Sequence, residues 1–244
     1  MKATQIEFRL RVVIMVVIVF FGFWSPWIEG LGIGRRISLT EWLALEISRT
    51  GLLSFTAATP VVIVLGSLIA AVAAVWRVWG TAYLGSGTVN SSQMKAETVM
   101  AAGPYRYVRN PLYLGSWFVF AAMAFIMPPT GALLTMVLLT VFLYRLILGE
   151  EAFLIAKLGE PYRADLHTVP RLIPRLRTNL PKSSAKPNWA RSALAELNPI
   201  GAFITLAVCS WSYNHWLMVQ AILISFGLSL VVRALMPAVK PQPA

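Results

Sequence analysis

Long apolar runs separated by short polar stretches make up most of the chain. Each run approaches the length of roughly 20 residues that a helix needs to cross the hydrocarbon core of a bilayer. The pattern therefore predicts an all-α integral membrane protein with about six transmembrane helices. The predicted spans are residues 12–28, 52–79, 112–127, 131–148, 199–213 and 216–236.

Turn signals join these spans. Pro128-Pro129-Thr130 links the third and fourth spans into a hairpin, and Asn214-His215 links the last two. Pro60 predicts a kink or the start of the second span. The first run ends at Trp24 and Trp27, without the small-residue site at which a signal peptide is cleaved. This favours an uncleaved first span with an interfacial tryptophan belt.

The chain divides into three predicted regions. Residues 1–80 hold the first two helices. Residues 81–197 hold the helical hairpin 112–148 and a polar segment after it, and residues 198–244 hold a C-terminal hairpin and tail. We see no internal repeat.

Basic residues predict the orientation of the protein. With six spans, residues 1–11, 80–111, 149–198 and 237–244 share one side, and they hold most of the Lys and Arg. In the opposite loop, residues 29–50, acidic residues balance the basic ones. The positive-inside rule then places the large polar segments in the cytoplasm, at a prokaryotic inner membrane or the endoplasmic reticulum.

Composition agrees with a membrane protein. Hydrophobic residues make up 57% and charged residues 13% of the 244 residues, against about 45–50% and 25% in soluble domains. The net charge of +11 is expected to face anionic lipid, so the predicted partner is the bilayer and not nucleic acid. With one cysteine, Cys209, and two histidines, His167 and His215, on opposite predicted sides, no metal site is expected.

A first polar cluster, residues 103–113, leads directly into the third span. It has two arginines and three tyrosines, and Asn110 and Pro111 predict an N-cap and a first helical turn. A helix N-terminus with nearby arginines is a suitable site for a carboxylate. The alternative is positive-inside anchoring of a capped helix.

A second polar cluster lies where the fourth span ends. Glu150 and Glu151 form a carboxylate pair that can hold ribose hydroxyls or an ammonium group, or fix an arginine; the alternative is a solvated helix end. Arg145 lies within the span, where a charge is costly and marks a functional candidate, unless its side chain snorkels to the surface. Arg145 and Glu150 are about 140° apart on a helix, so no ion pair between them is implied.

These clusters carry a family resemblance. The string GPYRYVRNPLYLG, an apolar hairpin, and EEAFLIAKLGEPYRADLHTVPRLIP together resemble the isoprenylcysteine carboxyl methyltransferases, whose signature the related phospholipid N-methyltransferases share. The similarity covers roughly residues 76–174. It implies S-adenosylmethionine as the cofactor, held in a pocket at the cytoplasmic edge between the hairpin and the segment after it.

The resemblance also implies roles for individual residues. Arg145 is the candidate catalytic residue, a looser match to an arginine that lies near the acceptor carboxylate in the family. Family members usually have histidine where this chain has Asn110. The implied cofactor contacts are Glu97, Thr98, Val99, Met100, Tyr105, Asn110, Pro111, Leu112, Tyr113, and one or both of Glu150 and Glu151.

Several functions stay open at this point. The leading one is carboxyl O-methylation of an isoprenylcysteine-like acceptor, because a carboxylate is already ionised at neutral pH and needs no general base. The alternatives are N-methylation of a phospholipid or lipid amine, an NADPH-dependent sterol-reductase-like enzyme, and a non-catalytic membrane scaffold. The predicted substrate is a lipophilic small molecule or a prenylated chain that enters from the bilayer. The sequence leaves the oligomeric state open.

Overall fold

A computed structural model describes residues 2–25, 37–89, 101–178, 180 and 185–236, and these residues contain helices and no strand. The α-helices are α1 (Gln5–Arg9), α2 (Arg11–Phe23), α3 (Leu39–Arg49), α4 (Phe55–Leu84), α5 (Ser86–Val89), α6 (Pro111–Ala124), α7 (Pro129–Leu158), α8 (Glu160–Thr168), α9 (Trp189–Ala195), α10 (Leu197–Val208) and α11 (His215–Leu235). Short 3₁₀ turns cover Gly103–Arg106 and Cys209–Ser212.

Helices α4, α6, α7, α10 and α11 share one apolar core. Small side chains such as Ala70, Ala73 and Ala122 lie at its centre, each with 1% of its surface or less exposed. Gly80 lets α6 approach α4, because a Cβ there would lie 2.7 Å from the Leu112 side chain. Where lipid surrounds the helices, such close approach is the main source of packing energy.

Helices α2, α4, α6, α7, α10 and α11 run between two ends of the bundle. The first end, called here the site end, contains the segments 2–11, 80–89, 101–113, 144–178 and 185–198. Contacts across it include Ala3 N to Arg145 O at 3.0 Å and Asn188 N to Ala82 O at 3.0 Å. The segments predicted to share a side therefore do lie together where the structure describes them.

At the opposite end of the bundle, the start of α3 contacts the turn between α6 and α7. Leu39 N donates to Met127 O at 2.7 Å, and Thr40 N donates to Phe125 O at 3.0 Å. These bonds satisfy backbone carbonyls that the end of α6 would otherwise leave without partners.

The all-α membrane class is confirmed. Within the described residues, three helices are long and apolar enough to span a membrane alone: Phe55–Leu84, Pro129–Leu158 and Trp216–Leu235. The pair Trp189–Ala195 and Leu197–Ser212, bent by 73°, adds a fourth if it counts as one span. Helices α2 and α6 are apolar but shorter, so six crossings stay a prediction.

Two helix boundaries refine the predicted ones: Pro60 does not start its helix, and the end of α7 affects the site. Pro60 lies inside α4, because the Ser54 hydroxyl accepts from Ala57 N at 3.3 Å and starts the helix earlier. Helix α7 continues past residue 148 to Leu158 and ends at Gly159, whose φ of +63° suits glycine. Glu150 and Glu151 are therefore inside a helix rather than at its end.

Candidate functional site

Glu151 is the centre of a buried charge cluster at the site end. Its side chain is 6% exposed and accepts hydrogen bonds from three residues. Arg109 approaches Oε1 through NH2 at 3.1 Å, and Arg171 approaches Oε2 through NH2 at 2.8 Å. Asn110 Nδ2 donates to Oε1 at 3.3 Å. With these donors, the carboxylate is a structural anchor for the surrounding loops.

The Glu151 cluster fastens the segment before α6 to the segment after α8. Arg109 N donates to Pro170 O at 2.9 Å, and Arg175 N donates to Tyr107 O at 3.0 Å. The Arg109 guanidinium also donates to Val169 O at 2.6 Å. These bonds fix residues 107–110, and with them the start of α6.

Asn110 corrects part of the sequence interpretation. It does occupy the N-cap position of α6, and Pro111 lies in the first turn, but the Asn110 side chain makes no capping hydrogen bond. It donates instead to Glu151 and to Arg171 O, the latter at 3.2 Å. The carboxylate expected beside this helix start is thus supplied by the protein itself, through Glu151.

Glu150 has different surroundings, because adjacent helical residues point about 100° apart. The Tyr113 hydroxyl lies beside its carboxylate, and the positive charge of Arg11 acts on it. The Arg11 guanidinium also donates to Val89 O at 3.3 Å. Glu150 is partly exposed. Its carboxylate can accept further hydrogen bonds, whereas the oxygens of Glu151 already accept from Arg109, Asn110 and Arg171.

Tyr105 supplies a buried polar atom beside Glu150. The residue is 8% exposed, and its hydroxyl has no hydrogen-bond partner among the described residues. Burial raises the pKa of this hydroxyl, and the negative charge of Glu150 raises it further. It therefore stays protonated at neutral pH and can donate. A buried donor without a partner is costly, which points to a ligand atom that completes the site.

Pro111 and Leu112 act through packing. Both lie against Gly80 of α4, where a Cβ would be 3.8 Å from Pro111 and 2.7 Å from Leu112. Their contacts set the position of Tyr113, the next residue. Glu97, Thr98, Val99 and Met100 lie outside the described residues.

An apolar groove runs between α6 and α7, next to the polar cluster of Tyr105, Tyr113 and Glu150. Its volume is about 570 Å³. Its lining includes Tyr113, Trp117, Val141 and Ile173. Among the described residues, Arg145 is the one charged side chain in the lining. Tyr113 thus belongs both to the groove and to the Glu150 pocket.

Arg145 is paired with Glu7 of α1. Its NH2 lies 2.7 Å and 3.0 Å from the two carboxylate oxygens. Because Glu7 is its partner, Arg145 does not pair with Glu150, in agreement with the angle between them on the helix. The pKa of the Glu7 carboxyl is lowered chiefly by the Thr4 backbone amide that donates to it, and further by Arg145. The pair is partly exposed, at 27% and 29%.

Sequence reasoning missed a second buried ion pair, Arg77–Glu196. Arg77 Nε and NH2 donate to the two oxygens of Glu196 at 2.8 Å and 2.7 Å, and Thr81 Oγ1 donates to one of them at 2.5 Å. The Glu196 residue is 0% exposed. A signal was present, since Arg77 falls inside a predicted span, where an arginine requires a partner.

The fold and the site define a helical membrane protein in which a polar cluster of Tyr105, Tyr113 and Glu150 lies next to an apolar groove. Residues 61–160 match the model of the phospholipid methyltransferase family, to which the isoprenylcysteine carboxyl methyltransferases belong. The matched residues run from α4 to the start of α8 and are similar to this family, so the predicted resemblance is confirmed. Neither the curated proteins nor the solved structures give a match.

The family supports a membrane methyltransferase and suggests S-adenosylmethionine as the methyl donor. The match covers Tyr105, Asn110–Tyr113, Arg145, Glu150 and Glu151. The match covers less than half of the chain. Glu7, Arg171 and Glu196 lie outside it.

Proposed function

We propose that this protein transfers the methyl group of S-adenosylmethionine to the polar end of a membrane-embedded acceptor. The observation that carries the proposal is the double position of Tyr113. Its hydroxyl lies beside the Glu150 carboxylate, and the residue also lines the apolar groove. A polar cofactor and a lipid tail can therefore meet at this residue.

The residues of the pocket fit the proposed donor. Glu150 offers a carboxylate for ribose hydroxyls or an ammonium group, and the Tyr105 hydroxyl, which bonds to none of the described residues, offers a donor. S-adenosylmethionine supplies an activated methyl group, so the protein needs to position the reactants more than to provide strong base catalysis. Glu151 is not a cofactor contact in this proposal, because its donors already surround it.

A carboxylate acceptor fits the proposed reaction better than an amine does. The described lining of the groove is apolar apart from Arg145, whose guanidinium pairs with Glu7, so the groove suits a lipid tail. A carboxylate at the end of that tail is already ionised at neutral pH and needs no general base, whereas an ammonium group must first lose a proton. The proposed reaction is therefore carboxyl O-methylation of an isoprenylcysteine-like substrate. In the described structure Glu7 occupies one face of Arg145, so the acceptor either replaces Glu7 or binds the remaining guanidinium donors.

The first experiment measures donor binding to the detergent-purified protein by calorimetry. We expect S-adenosylmethionine and S-adenosylhomocysteine to bind, and NADPH not to bind. Tyr113→Phe and Glu150→Gln should weaken binding, since a hydrogen bond to a charged group contributes about 1.5–3 kcal/mol. A folded protein that ignores both adenosyl ligands would overturn the proposal, and NADPH binding would favour a reductase.

The second experiment identifies the acceptor with a radiolabelled methyl donor. An N-acetylated prenylcysteine and a lipid amine such as phosphatidylethanolamine are compared as substrates. Methyl ester formation on the prenylcysteine supports the carboxyl proposal. Labelling of the amine alone overturns that choice and leaves an N-methyltransferase.

A matched pair of variants tests the groove. Val141 lines it, whereas Val137 lies one turn earlier on α7, outside the lining; both side chains are about half exposed. Val141→Trp should raise the acceptor KM without changing the donor affinity, and Val137→Trp should leave both unchanged. Equal effects of the two variants would place the acceptor elsewhere.

A further inference from the structure

The buried Arg77–Glu196 pair links the C-terminal hairpin to the start of α6. Glu196 lies at the bend between α9 and α10, beyond the matched domain, and Arg77 lies in α4 within it. Both carboxylate oxygens of Glu196 accept from Arg77, and Thr81 adds a third donor. Both carboxylate oxygens therefore already have donors within the protein, and Glu196 is not itself a ligand site.

Arg77 extends this contact to α6. Its NH1 donates to Leu112 O at 3.3 Å and to Ser116 Oγ at 3.1 Å. Gly115 makes room for the Arg77 stem, because a Cβ there would lie 2.9 Å from Arg77 Cγ. The guanidinium thus holds both the first turn of α6 and Glu196.

The first turn of α6 carries Tyr113, which lies beside Glu150. A chain of direct contacts therefore runs from Glu196 through Arg77 and Leu112 to the residue that joins pocket and groove. Removing the Glu196 charge leaves Arg77 buried and without its main partner, so its side chain must move. A shift of Arg77 removes a support from Leu112 and Tyr113.

We propose that Glu196 is a positioning residue for the methyl-donor pocket, acting through Arg77 on the first turn of α6. The C-terminal hairpin is then a part of the functional unit, although the domain match ends before it. This inference rests on the proposed donor site.

The test compares Glu196→Gln with Arg233→Gln. Arg233 Nε donates to Ala195 O at 3.0 Å, so both variants loosen the C-terminal hairpin, but only the first releases Arg77. We expect Glu196→Gln to weaken S-adenosylhomocysteine binding at least about tenfold, as small displacements at a positioned site do, with the acceptor KM nearly unchanged. Arg233→Gln should keep the donor affinity of the parent protein.

Hydrogen exchange gives a readout that needs no cofactor. In Glu196→Gln, residues 111–116 should exchange faster than in the parent protein, and in Arg233→Gln they should not. If Glu196→Gln does not fold, Glu196→Asp replaces it, which keeps the charge but shortens the reach to Arg77.

The outcomes separate the two proposals. If the parent protein binds no adenosyl ligand, the proposed function fails and this inference with it. If the parent protein binds and Glu196→Gln binds equally well, with unchanged exchange in α6, only this inference is overturned. A lower Tm in both variants with unchanged donor affinity also overturns it, since the pair would then be structural.

Discussion

The carboxylates of Glu150 and Glu151 differ in the donors that surround them. Glu151 accepts hydrogen bonds from two arginines and an amide, whereas Glu150 lies beside the Tyr113 hydroxyl. We expect Glu151→Gln to lower the free energy of unfolding by about 3–5 kcal/mol, because it leaves the buried Arg109 without its counter-charge. Glu150→Gln should keep the stability and lose donor affinity roughly tenfold to hundredfold.

Thermal unfolding and calorimetry on the two variants check this division. The variants are each other's control, since the same chemical change is made at adjacent positions of one helix. A stable Glu151→Gln that loses donor binding would reverse the two roles.

Asp165, in α8, gives a pH-dependent prediction. Burial raises its pKa from 3.8 to about 6, although Arg109 opposes the shift. The folded state then binds the proton more tightly than the unfolded state, so this group's contribution to stability is complete below about pH 4 and is lost as the pH rises through 6. Asp165→Asn mimics the protonated form.

The measurement is the Tm of parent and Asp165→Asn between pH 4 and pH 8. The variant should gain stability relative to the parent as the pH rises, with the gain complete above about pH 7. A difference in Tm that does not change with pH would show that Asp165 ionises as it does in the unfolded chain.

Local patterns made part of the site predictable. The Asn110-Pro111 helix start and the Glu150-Glu151 pair follow from residue types in sequence, and the first turn of α6 is where it was expected. The assignment of Glu151 to Arg109 and Arg171 depends on how three distant segments meet, which no periodicity encodes. The partners of Arg77 and Arg145 lie far away from them in the sequence. These two ion pairs could therefore not be predicted from local patterns either.

At the scale of elements, the crossing of α2 and α7 depends on two glycines. A Cβ at Gly131 would lie 1.8 Å from Gly22 O, and a backbone atom cannot turn aside as a side chain can. Gly131→Ala should therefore separate the helices and cost about 1–3 kcal/mol. Gly227 of α11 has open space around its Cβ position, so Gly227→Ala should be close to neutral.

Thermal unfolding in one detergent, with both variants side by side, measures the difference. Alanine has a higher helix propensity than glycine, and this gain applies to both variants. The difference in Tm between the two variants therefore reports the steric effect at Gly131 better than either Tm alone. Equal Tm values for Gly131→Ala and Gly227→Ala would mean that α2 does not pack this closely on α7.

For the whole molecule, the expected orientation joins the fold to the supply of the methyl donor. The polar cluster around Glu150 lies at the site end, together with most of the basic segments among the described residues. Lys and Arg favour the cytoplasmic face, and a water-soluble adenosyl cofactor would reach the pocket from that side. We therefore predict that the site end faces the cytoplasm and that the loop before α4 faces away from it.

Single cysteines test this orientation, because Cys209 is the only native one. In a Cys209→Ala background, Lys157→Cys places an exposed thiol at the site end, and Thr50→Cys places one at the opposite end. A membrane-impermeant maleimide should label Lys157→Cys only in inverted vesicles and Thr50→Cys only in right-side-out vesicles. The reversed pattern would show that the site end faces away from the cytoplasm, where a cytoplasmic cofactor could not reach it. Labelling of both positions from one side would contradict the three crossings that we predict between α3 and the end of α7.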